Sequence, residues 1–433
     1  MFFQRDLSAG RLLLTDCIVA DVRNLSVLRG VSILLESGKV AAVGGFDPVG
    51  VDAQVVSAVG CTVTPGLIDA HVHLCLSGQP GCHLTLGALS PDEKEGILRE
   101  NLLMNLNNGV TAVRDLGCPW DTLEMMRQMD GGDAACPSVQ AGGDVAYPSV
   151  QASGDTAYPS VQAGGDAAYP SVQASGPVLT IPGGHGAFFG EAAYLGRARE
   201  IFGRLRKSGA EVVKIIGTGG NLSPNTDCHG TQYTDAEFSG IMDAARAAGF
   251  DVACHAHAAS AVEQCLRFGV RSVEHGSYIE EGQILRMAEK GDYFWVPTVC
   301  PGRLIGGLSE EAIDRVERRR RNLRAAIRHG AMFAAGTDAG IGGLKHGCLP
   351  HELDEFMDAG MTPLAALRSA THLAAVMMRQ EGRIGVVEAG AEADLLLFEG
   401  DIEGAAFSFH RPRAVIKGGR VVWSGWAQPM VRG

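Results

Sequence analysis

No stretch of the 433-residue chain approaches the roughly 18 consecutive apolar residues that a membrane-spanning helix requires, which argues against a membrane protein. Positive charge is in deficit too. The formal net charge is −12 and the pI is near 5.5, so there is no basic domain to displace counterions from a nucleic acid. The one basic run, Arg318, Arg319, Arg320 and Arg321, is interleaved with Glu310, Glu311 and Glu317 and reads as the solvated face of a helix. Eleven cysteines occur without any CxxC or knuckle spacing, the pattern of a reduced protein with buried thiols. The N-terminal MFFQRDLSAGRLLLTDC lacks the apolar core and small-residue cleavage site of a secretion signal. These absences predict a cytoplasmic protein acting on a small molecule, with neither membrane nor nucleic acid as partner.

What is present is apolar substance. Hydrophobic residues make up 46% and charged residues 20%, enough for a large core. Residues 11 to 62 alternate short apolar strands with glycine breaks (RLLLTDCIVADV, VSILLESGKVAAVG), as do ADLLLFEG and RAVIKGGRVVWSG near the C-terminus. Both ends therefore predict antiparallel strands joined into one small composite β-sandwich, residues 1–62 plus 385–433. The middle, 63–384, alternates short apolar strands with helical patterns. Eight strand candidates stand out: 67–74, 110–117, 170–176, 211–220, 251–258, 271–277, 293–299 and 332–340. Eight parallel strands close a (β/α)8 TIM barrel, whose active site forms at the C-terminal strand ends. The predicted class is α/β.

One segment departs from this plan. At about 132–175 an 11-residue unit recurs four times, as GDAACPSVQAG, GDVAYPSVQAS, GDTAYPSVQAG and GDAAYPSVQAS. Only one copy is needed for the third barrel strand, and the last is assigned to it. The others read as a slippage insertion outside the barrel, or else as a lid or a homo-oligomer contact.

Several residues near the ends of the predicted strands can carry chemistry. His71 and His73 form HxH on the first strand, where residues two apart share a side, so both imidazoles face the lumen. Such a pair suits a borderline divalent ion such as zinc. Lys214 lies mid-strand in EVVKIIGTGG. A buried lysine is expensive unless neutralised or used, so it is either carbamylated into a bridging carboxylate or ion-paired. His255 ends the fifth strand, His275 the sixth and Asp338 the eighth. Each is ambiguous alone, but together they place six candidate ligands at one rim. His257 shares the face of His255 and is assigned a supporting place behind it.

The motifs VTPGLIDAHVHL, VRDLG, GGHG (183–186), VVKIIGTGG, DVACHAHA, SVEHGS, GTDAG and GMTPLAALRSATHLAA resemble the amidohydrolase superfamily. Within it they look like the imidazolonepropionase-like and Xaa-Pro dipeptidase-like binuclear hydrolases. The resemblance covers nearly the whole chain and implies two divalent metal ions, with zinc, manganese and cobalt as options. His71, His73 and Asp338 would hold one, His255 and His275 the other, and carbamylated Lys214 would bridge them. The implied activity is cleavage of a C–N amide bond, in a dipeptide or N-acyl amino acid, by a metal-bridging hydroxide, with Asp338 passing the proton. His185 would stabilise the oxyanion or else be a structural loop histidine. Tyr233 would bind a substrate carboxylate through its hydroxyl or else serve in capping and packing. His229 and His346 receive no role. The alternative is a cyclic-amide hydrolase or deaminase. Deaminases of this kind place a glutamate shortly after the fifth-strand histidine, where this chain has Ala256, His257, Ala258 and Ala259.

Overall fold

The computed structural model describes residues 10–45, 52–130, 168–189, 195–223 and 225–424. Its first strands are β1 (Arg11–Asp21), β2 (Ser26–Glu36), β3 (Lys39–Gly44), β4 (Gln54–Ser57) and β5 (Cys61–Pro65). They join β13 (Leu395–Glu399), β14 (Ala414–Lys417) and β15 (Arg420–Ser424) in one eight-stranded sheet. Strands from opposite ends of the chain meet where β13 pairs antiparallel with β5. The expectation of antiparallel pairing throughout needs correction. β1 runs parallel to both β4 and β5, while β1–β2 and β2–β3 are antiparallel. A parallel neighbour requires a crossover connection, and the β2–β3 hairpin lies within the one used here. Among the described residues, hydrogen bonding joins these strands into one sheet rather than the two of the expected sandwich. Leu14, Val19, Ile33, Val63, Leu395 and Ile416 pack together from both of its halves.

Between the two ends lie seven parallel strands in two sheets. The first holds β6 (Leu67–Val72), β7 (Val110–Asp115) and β8 (Ser171–Ala174). The second holds β9 (Val212–Ile216), β10 (Asp251–Ala256), β11 (Ser272–His275) and β12 (Phe294–Val296). Most of their residues are buried on both faces, as expected of parallel strands covered by helices. β8 falls inside the last repeat copy, and the three earlier copies lie outside the described residues.

Isolated parallel bridges link the sheets: Leu179 with Ile215, Trp295 with Phe333, and Val72 with Ala339. Backbone pairing therefore runs from β6 to β12, on through residues 333–339, and back to β6. That last segment is the expected eighth strand, and it pairs without forming a continuous ladder. Asp338 donates its N–H to His71 O at 2.8 Å, and Ala70 donates to Ala335 O at 3.0 Å. Regular pairing breaks because Asp338 adopts φ 66°, in the left-handed region. A side chain at Gly336 would come within 2.9 Å of the His71 backbone nitrogen, so only glycine allows so close an approach.

The helices are set by local signals. Ser90 accepts from the Glu93 N–H at 3.3 Å while Glu93 accepts from the Ser90 N–H at 2.8 Å, a capping box that starts the helix Pro91–Asn107. Thr234 and Glu237 repeat the device for Asp235–Ala247. The longest helix among the described residues, Glu310–His329, corrects the reading of the arginine run. Ala312, Arg315, Val316, Arg319 and Leu323 are buried on one face, whereas Arg318 is exposed against Asp314.

No described helix is long and apolar enough to cross a membrane. The helix Leu349–Asp358 meets the loop before β14 through Asp354, whose Oδ2 lies 2.9 Å from His410 Nε2, 3.7 Å from His351 and 4.0 Å from Arg303. Burial alone would raise the Asp354 pKa, but these partners outweigh it and hold the carboxyl well below its usual range. A depressed carboxyl stabilises the fold above its ordinary pKa and loses that contribution as pH falls. Asp354→Asn is therefore expected to cost roughly 1–3 kcal/mol at neutral pH. Its denaturation curve should converge on wild type as pH drops below the usual carboxylate range. Identical curves at every pH would show that the contact contributes nothing.

Candidate metal centre and active site

The ends of β6, β9, β10 and β11 and the 333–339 segment point into one cavity. His71, His73, Lys214, His255, His275 and Asp338 all line it, with His185 and His257. The tightest cluster is His71, His73 and Asp338. Asp338 Oδ1 is 3.4 Å from His71 Nε2 and 3.2 Å from His73 Nε2, and these three residues are a candidate ligand group for a metal ion. Lys214 Nζ is 3.5 Å from His71 Nε2. The His275 ring lies 5.0 Å from that of His71 and 4.6 Å from that of His255. His185 joins from the loop after β8, with its ring 4.7 Å from His255.

Three of the imidazoles are oriented by a bond through Nδ1. His71 Nδ1 meets Glu274 Oε2 at 2.8 Å, His275 Nδ1 meets Thr298 Oγ1 at 2.8 Å, and His257 Nδ1 meets Ser277 Oγ at 2.8 Å. His73 stacks on Phe189 with centroids 4.8 Å apart. His255 differs, directing Nε2 to Gly219 O at 3.0 Å. Such partners fix tautomer and ring plane.

Glu274 is the pivot of this layer. It is fully buried, and Arg114, also fully buried, donates to it at 2.8 Å. The same guanidinium reaches Ala70 O at 2.7 Å and Ser272 Oγ at 3.0 Å. One side chain thus ties β6, β7 and β11 together beneath the cavity. Burial would raise the Glu274 pKa, but Arg114, His71 and Lys214 hold it well below the usual carboxylate range. Asp69, on β6, accepts from the Thr337 N–H at 3.0 Å and hydroxyl at 2.7 Å, fixing the segment that carries Asp338. Sequence reading missed Arg114, Glu274 and Asp69. The available signal was charge inside an otherwise apolar strand, which a buried site tolerates only when paired.

Burial pushes the imidazoles toward the neutral form. His71 and His185 fall to about 4, while His255, His257 and His275 fall well below their ordinary value. Lys214 is brought down to about 8 by burial, against the pull of Glu274 and Asp338. Burial would raise Asp338, but the His73 hydrogen bond and the charges of His71, His73 and Lys214 bring it to about 2. At neutral pH the cavity therefore offers uncharged imidazoles at His71, His185, His255, His257 and His275 and an ionised carboxylate, the forms a divalent cation binds. Part of the backbone strain lies at the same place. His275, Thr298 and Asp338 are non-glycine residues at φ 67°, 49° and 66°, each costing about 1–3 kcal/mol.

Over residues 62–422 the chain matches the amidohydrolase family. The chain belongs to the amidohydrolase family. It is 27% identical over 377 residues to the ochratoxinase of Aspergillus niger, spanning 83% of this chain and 74% of that protein. It is 25% identical over 422 residues to the imidazolonepropionase of a Geobacillus species, 93% and 92% of the two chains. It shares its fold with a Xaa-Pro dipeptidase solved with methionine in the active site, at TM-score 0.78 and 23% identity, over 96% of this chain and all of that one.

One expected participant stands elsewhere, and one residue not expected at the site joins it. Tyr233 is not a wall of the cavity. Its ring packs 6.3 Å from that of Phe238 in the core, and its buried hydroxyl has no partner among the described residues. The packing alternative is the one this geometry fits. Arg319, read as solvated, lines the cavity instead. The apolar 3–4 spacing of Ala312, Val316, Leu323 and Ala326 around it was the signal that could have placed it. His346 is buried and bonded to Asn105 and to His73 O, whereas His229 is exposed beside Tyr278.

Glu274→Ala leaves Arg114 buried without its counter-charge and is expected to cost about 3–5 kcal/mol of stability. Chemical denaturation checks this. The double variant Arg114→Met with Glu274→Gln should recover part of the loss. A single variant as stable as wild type would remove the pair from its central place.

Proposed function

We propose that the chain hydrolyses a C–N amide bond in a small molecule with two divalent ions, most simply zinc, held by His71, His73, Asp338, Lys214, His255 and His275. The observation that carries this reading is convergence: groups from five separate β segments line one cavity, in protonation states suited to a cation. The donor set of neutral imidazoles and a carboxylate fits a borderline metal. Near neutral pH part of the Lys214 population is the free amine, the form that takes up CO2 to become a bridging carbamate. We also read the closed pairing circuit as a (β/α)8 barrel over residues 63–384, with residues 1–62 and 385–433 as a composite β domain.

Bound ions of this kind supply Lewis acidity and bring the pKa of water toward neutrality. The protein's own groups do the rest. Asp338, ionised at the cavity wall, is the group to accept a proton from the attacking water and pass it to the leaving amine. Ser223 Oγ lies 3.2 Å from His185 Nδ1, and if its hydroxyl donates there, Nε2 carries the proton. That N–H is suited to the developing negative charge on the scissile oxygen. Gly220 gives His185 its clearance, because a side chain there would come within 2.5 Å of Nε2.

The substrate reading is a peptide-like amide, either a dipeptide or an N-acyl amino acid. The likeness to imidazolonepropionase keeps cyclic amides as the second reading, since attack at a ring carbonyl needs the same groups. Protein purified without chelator is expected to hold about two metal equivalents per chain, falling in Lys214→Ala. Asp338→Asn should lower kcat on any substrate found in a panel of dipeptides, N-acyl amino acids and cyclic amides by about 10²–10⁴-fold. Folded wild-type protein without bound metal, inactive on the whole panel, would sink the reading.

A further inference from the structure

The helix Glu310–His329 presents two buried arginines one turn apart, and they differ in one respect. Arg315 is engaged, with Glu311 on one terminal nitrogen and Asn221 on the other. Arg319 has a single hydrogen bond, from Nη1 to Thr298 Oγ1 at 3.3 Å. Its Nε is buried and has no partner among the described residues, and no ion pair among them includes it. Burial lowers its pKa to about 10, which still leaves it charged near neutrality. Glu352 is the main acidic group acting on it, yet both Glu352 oxygens are taken by the Val299 and Cys300 amides at 2.6–2.9 Å. Burial also pushes the Glu352 carboxyl above its usual range.

A buried guanidinium without a counter-ion is costly, and arginine cannot escape by losing its proton. The unpartnered Nε is a donor suited to an anion. Its place is informative: Thr298 Oγ1 touches both Arg319 and His275 Nδ1, so the guanidinium stands one side chain from the candidate ligands. Phe188, Leu222, Ile305, Leu308 and Val316 make much of the surrounding wall apolar.

We propose that Arg319 is a substrate-binding residue that anchors a carboxylate, selecting anionic amides whose carboxylate sits beside a bulky apolar group. This rests on the amide-hydrolase reading and narrows it. The planar fork of arginine suits a carboxylate bidentately, which a lysine point charge does not. Dipeptides and N-acyl amino acids with an apolar side chain and a free C-terminus meet the requirement, whereas their C-terminal amides do not.

The test is binding, read apart from turnover. The metal-loaded protein is titrated calorimetrically with 3-phenylpropanoate and with its uncharged primary amide, in wild type, Arg319→Gln and Arg319→Lys. Wild type should prefer the acid, and Arg319→Gln should weaken acid binding by roughly 10- to 100-fold while leaving the amide unchanged. Arg319→Lys should fall between, and it keeps the comparison available if the Gln variant does not fold. Acid binding that survives Arg319→Gln would place the carboxylate on the metals and overturn the proposal. So would an equal loss for acid and amide, which is what a role through Thr298 and His275 alone would give. A wild type that does not distinguish the two probes overturns it as well. Because no turnover is needed, a failure of amide hydrolysis itself would appear separately, as inactivity in a protein that still selects the acid.

Discussion

The Arg114–Glu274 pair is the interaction on which the centre depends. The parallel strands bury their side chains on both faces, and here some of the buried side chains are charged. Removing two full charges from water is tolerable only with direct pairing and with the remaining hydrogen bonds satisfied. Arg114 meets that condition by contacting Ala70 O, Ser272 and Glu274 together. Glu274 completes it by accepting from Ser272 and meeting His71. The first candidate ligand is thus oriented by the same group that locks β6 and β7 to β11. Stability and site geometry share one set of atoms, so they cannot be varied independently.

Above that layer, burial tunes the chemistry. Desolvation keeps His71 and His275 neutral and softens Lys214, while the His73 hydrogen bond and Lys214 help keep Asp338 ionised. The left-handed backbones at His275 and Asp338 turn strand ends so that their side chains line the cavity rather than continue the ladder. This is local strain held in place by a rigid surround, the usual arrangement for a preorganised site.

Much of this was legible in the chain. HxH on β6, the buried lysine in β9, the histidines ending β10 and β11, and Asp338 were all recoverable, because a side chain's direction along a strand follows from its period of two. Seven of the eight expected strands formed at their expected places. The eighth paired only by isolated bridges, because Gly336 brings its backbone close to His71 and Asp338 turns out of extended conformation. Those are contacts between distant segments, which local pattern does not report.

The sequence by itself determined the type and order of the central elements and the identity of the residues that converge, since periodicity and residue chemistry are local properties. Tertiary structure alone decided which charges would be buried together. Arg114 found Glu274 at a separation of 160 residues, β1 took β4 and β5 as parallel neighbours, and Arg319 turned from an apparent surface run into the cavity wall. The physical reason is common to all three. The free energy of a charge or a strand edge depends on what lies across from it, and that is set only when the chain has closed on itself.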